Sequence, residues 1–110
     1  MNRHELLRER AVQVGTIDNW TDYIVKWRID KGFKTDWGNL TEKIMLVVTE
    51  LGRAVDADRE DKDELVIHEL TDALVRLLDL MGSIKIHVHN SLVEVMDGNE
   101  GRPRKHGKKY

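Results

Sequence analysis

Four carboxylates and two arginines in the middle of the chain have the residue types and spacing for chemistry. Glu50 sits among Val47, Val48 and Leu51, a setting too apolar for an acid that only solubilises a surface. Glu69 and Asp72 lie three residues apart and Asp79 follows Asp72 by a heptad, so on a helix all three share one side with Arg76. If the segments carrying Glu50 and Glu69 pack as antiparallel helices, Glu50 faces Glu69 and Asp72. Three carboxylates at one half-buried place repel one another unless a cation or a proton relieves them. Oxygen ligands of this kind select magnesium, manganese or calcium over zinc, and magnesium with few protein ligands typically sits beside phosphates. The competing reading is structural: the same acids form ion pairs with Arg53 and Arg76 on a solvated face.

The elements that must position these groups read as helices. A short first helix spans Glu5 to Val12 and breaks at Gly15 and Thr16. Trp20, Tyr23, Ile24 and Trp27 recur at helical spacing on a second, which stops near Lys31-Gly32. Residues 33–38 form a loop carrying Trp37, and Asn39 with Glu42 resembles a capping box. The next helix carries an apolar stripe of Ile44, Val47, Val48, Leu51 and Val55 to about Arg59. Beyond a charged turn, Leu70, Ala73, Leu74, Leu77, Leu78 and Met81 mark another, ending at Gly82. Residues 84–96, rich in β-branched side chains, suit a last helix stopped by Gly98. The expected fold is an all-α bundle of four to five helices, with residues 1–98 as its body and 99–110 as a basic tail of the same domain. Apolar faces this continuous, on helices this short, imply a core shared between subunits of a homo-oligomer.

Composition narrows the function classes. The 110 residues suit one domain. The absence of cysteine excludes disulfides, thiolate metal sites and a cysteine nucleophile, and points to a reducing, cytoplasmic home. No apolar stretch approaches a membrane span of roughly 18 residues, so no membrane role is expected. The net charge of −2 hides an acidic middle and a basic end, and the acidic body argues against nucleic acid as a partner. His87 and His89, two apart, point to different sides of a helix and do not chelate together. Trp37, in a loop before the Glu50 helix, is a candidate to stack on a nucleobase, with packing as its alternative role.

The runs from Lys43 to Gly52 and from Glu69 to Asp79, with the ending from Asn99 to Lys109, resemble the MazG-like nucleotide pyrophosphohydrolases over roughly residues 40–110. That family is marked by an ExxE pair on one helix and an ExxD pair on the next, which together hold magnesium for hydrolysis of a nucleoside triphosphate to the monophosphate and pyrophosphate. Glu50 matches the first acid of ExxE, Glu69 and Asp72 match both acids of ExxD, and Asp79 matches a further acid often found there. The second acid of ExxE is replaced by Arg53, a fixed cation that should repel a metal at close range. A Lys-x-x-x-Asn-x-x-Arg phosphate-binding run of many relatives reads Val95, Asn99, Arg102, so its lysine is lost.

The resemblance implies a magnesium- or manganese-dependent hydrolase for nucleotide-pool house-cleaning. Glu50, Glu69 and Asp72 would be its catalytic metal ligands, and Asn99, Arg102, Arg53, Trp37 and Lys108 would contact the substrate. The assembly would be a homodimer or homotetramer. The alternative is a degraded relative that binds a nucleotide or a partner without hydrolysis, with Arg53 bridged to Glu69 or Asp72 in the metal's place.

Overall fold

A computed structural model describes residues 2–102, and its secondary structure is helical, with no strand among the described residues. The order is α1 (Arg3–Val14), α2 (Ile17–Asp30), a 3-10 turn (Trp37–Asn39), α3 (Leu40–Arg59), α4 (Asp63–Ser83) and α5 (Val88–Glu100). The all-α expectation holds, with helix ends that differ in instructive ways.

The break at Gly15 and Thr16 falls where the residue types put it. Gly15 takes a left-handed φ of 69° and its N–H donates to Ala11 O, while the Thr16 hydroxyl accepts from the Asn19 N–H and starts α2. The cap before α3 differs from expectation. Asp36 Oδ1 accepts from the N–H groups of Gly38 and Asn39, and Asn39 Oδ1 accepts from the Asp36 N–H. This reciprocal box belongs to the 3-10 turn, so Trp37 heads a turn rather than lying in an open loop, and Asn39 makes no side-chain cap for α3.

The last helix starts later and ends later than its sequence pattern suggests. Lys85 adopts a left-handed φ of 68°, which ends α4, and His87 Nδ1 accepts from the Asn90 N–H at 3.3 Å as the cap of α5. Asp18 at the start of α2 accepts from the His89 N–H, tying the two helix beginnings together. Gly98, expected as a stop, lies inside α5, which runs on to Glu100.

α3 and α4 are joined by a three-residue turn and pack along their length as an antiparallel hairpin. Asp61, at φ 57°, makes the turn, and the Lys62 N–H returns to Ala57 O at 2.9 Å. α1 packs on α2, and α2 packs on α4. The latter contact depends on Gly82: a Cβ there would lie 2.7 Å from Thr21 Cγ2 and 2.8 Å from Val25 Cγ2. Gly82, one residue before the end of α4, therefore admits α2.

The core of the described residues is small. Ile24, Leu78 and Val88 form its centre, with Ile17, Tyr23, Val75 and Met81 packed around them. On α3 the buried residues are Glu50, Ala54 and Ala57, while Ile44, Val48, Leu51 and Val55 of the apolar stripe remain exposed. On α4, Ala73, Leu78 and Leu80 are buried, whereas Leu70, Leu74 and Leu77 are exposed. The hairpin thus buries small residues and Glu50 between its helices, while Ile44, Val48, Leu51, Val55, Leu70, Leu74 and Leu77 point outward. The radius of gyration, 16.4 Å, exceeds the roughly 13 Å of a compact globule of this length.

Candidate metal centre

The hairpin brings Glu50 from α3 together with Glu69 and Asp72 from α4. One carboxylate oxygen of each lies within 4.8 Å of the other two. Register explains the meeting: Glu50, Ala54 and Ala57 share the face of α3 turned to α4, and Glu69, Asp72, Ala73 and Arg76 share the answering face. Small alanines on both sides let the helices approach closely enough for the acids to converge.

Glu50 is the most enclosed of the three, at 3 % exposure. Its Oε1 accepts from Arg53 Nη1 and pairs with Arg76 Nε, both at 3.3 Å. Its Oε2, like Oε2 of Glu69, is buried without a hydrogen-bond partner. The facing Glu50 carboxylate, with burial, pushes Glu69 above the ordinary carboxyl range, and the facing Glu69 together with Arg53 and Arg76 holds Glu50 below it. Asp72 is half-buried and pairs with His68 Nε2 at 3.2 Å.

An open groove of about 390 Å³ borders this cluster, reaching it through Asp72 and Arg76. Trp27 and Phe33 line it from the side of α2 and the following loop, and Lys43 and Leu46 line it from α3. Asp79 also lines the groove but does not join the other acids. Arg28 Nε donates to Asp79 Oδ1 at 2.9 Å and to Oδ2 at 3.3 Å, and Thr35 and Ser83 donate to the same carboxylate. Arg28 also donates to Phe33 O and Ser83 Oγ. Asp79 is thus a pin holding α2, the loop and α4 together, although its heptad spacing places it in line with Asp72.

Trp37 is 69 % exposed and does not line the groove, whereas Phe33 and Trp27 do. Lys43 was legible as a groove residue, because it precedes Glu50 by seven positions and so shares its face. Phe33 carried no periodic signal, since only the path of the loop brings it inward. Asn99 lies near the end of α5, where its Nδ2 contacts Met96 Sδ, and α5 packs on α2 and α4 rather than on α3. Arg102 follows α5, and among the described residues no hydrogen bond or ion pair joins Asn99 or Arg102 to the three acids. Lys108 and the other tail cations from Arg104 onward lie outside the described residues. Arg53 pairs with Glu50, not with Glu69 or Asp72 as a blocked site had suggested.

An all-oxygen donor set with two buried, unpartnered carboxylate oxygens fits a hard divalent cation. No helix among the described residues is long and apolar enough to cross a membrane. The chain matches no known family model, no characterised protein and no solved structure.

Proposed function

We propose that this protein is a MazG-like nucleoside triphosphate pyrophosphohydrolase that uses magnesium, or manganese in its place, and acts in the cytoplasm on the nucleotide pool. The observation that carries the reading is the convergence of Glu50, Glu69 and Asp72 with two buried carboxylate oxygens that nothing among the described residues satisfies. These three residues would hold the cation, which when bound supplies neutralisation of the charge that develops on a transferring phosphoryl group. The groove beside them has aromatic rings at Trp27 and Phe33 for a nucleobase and the Lys43 ammonium for phosphate oxygens. Water attacks phosphorus, the anhydride P–O bond breaks, pyrophosphate leaves, and the proton of the water passes to a carboxylate of the cluster.

The outward apolar stripes of α3 and α4 support a homo-oligomer in which a second copy covers them, since patches of this extent on a free monomer mark an interaction surface. Asn99, Arg102 and Lys108 would reach the phosphates from the C-terminal segment, of the same or the neighbouring subunit.

A second reading, a nucleotide- or partner-binding protein without hydrolysis, is favoured by the two guanidinium groups on Glu50 Oε1, which compensate the carboxylate that a metal would need. Pyrophosphate release from a panel of canonical and modified nucleoside triphosphates separates the two. The hydrolase gives release that requires magnesium or manganese, stops with chelator and is lost in Glu50→Gln. Silence across the panel with nucleotide binding retained selects the binding protein.

A further inference from the structure

Arg53 and Arg76 approach the same oxygen of Glu50 from different helices, yet they differ from it in freedom. The Glu50 side chain is only 5 % exposed, whereas the side chains of Arg53 and Arg76 are 61 % and 44 % exposed. Arg76 also lines the groove that contains Lys43. Two cations on one carboxylate oxygen, beside a second glutamate oxygen left without a partner, form an arrangement in which charge is compensated but coordination is incomplete. A guanidinium offers a planar fork of donors that matches phosphate oxygens in pairs, and a phosphate chain carries more charge than one carboxylate, so it outcompetes Glu50 for these groups.

We propose that Arg53 and Arg76 are the polyphosphate-binding pair of this site, held on Glu50 and drawn off it by the phosphate chain, so that polyphosphate binding frees a carboxylate oxygen for the cation. The inference rests on reading Glu50, Glu69 and Asp72 as cation ligands. It makes Arg53 a working residue: the arginine hinders the cation until phosphate is present, and phosphate and cation favour each other's binding. Such coupling between neighbouring sites is reciprocal, with ordinary values of roughly 5- to 150-fold.

The exchange predicts effects of opposite sign from one substitution. Mn2+ alone is titrated into the full chain by calorimetry, and inorganic tripolyphosphate alone is titrated in EDTA, so that the two probes never meet. In Arg53→Gln, Mn2+ affinity rises by about tenfold and tripolyphosphate affinity falls by about tenfold, and adding Arg76→Gln extends both changes. Circular dichroism verifies that each variant is folded; Arg53, being exposed, carries the test if the double variant is unstable. Mn2+ affinity that stays the same or falls in Arg53→Gln, or tripolyphosphate affinity that does not fall, overturns the exchange. If wild type binds Mn2+, Glu50→Gln abolishes it and Arg53→Gln changes neither titration, the exchange is wrong and the metal-site reading stands. If no variant binds Mn2+, both fall together.

Discussion

Replacing Asp79 with alanine should destabilise the protein without removing cation binding, because this acid holds helices together rather than a metal. Its carboxylate accepts two bonds from Arg28 Nε and one each from Thr35 and Ser83, and the two charged side chains are only 12 % and 14 % exposed. A charge-assisted hydrogen bond of this kind contributes about 1.5–3 kcal/mol. Breaking a fully buried ion pair by removing one partner costs about 3–5 kcal/mol, and the residual exposure here lets water reach Arg28, placing the expected loss near 2–3 kcal/mol. A domain of this length has a total stability of roughly 5–15 kcal/mol, so the loss is a large fraction of it. At about 4 °C per kcal/mol, Tm should fall by about 8–12 °C. Urea denaturation of wild type, Asp79→Ala, Arg28→Met and the double variant forms a cycle that isolates the pair. A loss under about 0.5 kcal/mol in Asp79→Ala, the ordinary range of a surface change, would refute the pin. So would loss of Mn2+ binding from a variant that remains folded.

Three further expectations test packing, charge and assembly. Gly82→Ala should cost about 1–3 kcal/mol in thermal or urea unfolding, because its Cβ meets Thr21 and Val25, while Gly52→Ala, with open space around it in α3, should stabilise by about 0.5–1 kcal/mol; equal effects would disprove the close approach of α2 to α4. Glu69 has a folded pKa raised above its ordinary 4.5, so its contribution to stability is complete below that value and is lost as pH rises through the folded one. Glu69→Gln, which removes one of the two facing charges, should therefore unfold at a higher temperature than wild type at neutral pH while binding Mn2+ more weakly; a lower Tm there would contradict the repulsion between the two carboxylates. Val48→Glu with Leu74→Glu places charges on the outward stripes and should reduce the mass measured by light scattering to that of a monomer; a wild type already monomeric would remove the shared core.

Helical class and the convergence of acids were legible because both follow from local rules. Proline is confined to position 103, apolar residues recur at helical spacing, and a short charged turn between two long helices makes them antiparallel neighbours, which aligns Glu50 with Glu69 and Asp72. The same pattern did not say which part of each face a single chain buries or which partner each acid meets. The valines and leucines of α3 marked a core to be shared between subunits, and within one chain the hairpin closes over Ala54 and Ala57, since a close approach needs small side chains on the facing surface. Spacing put Asp79 on the same side as Asp72, and both line the groove, but its partner Arg28 comes from another helix, 51 residues away.

By itself, the sequence determined which segments are helical, where Gly15 and Thr16 separate the first two, and which acids share a helix face, because caps and 3.6-residue periodicity act over a few residues. Only the tertiary structure decided that Glu50 carries two arginines, that Asp79 is pinned, that Gly82 admits α2, and that Phe33 rather than Trp37 lines the groove. Each depends on how far one helix stands from another, a distance set by the side chains of both and therefore encoded in neither alone.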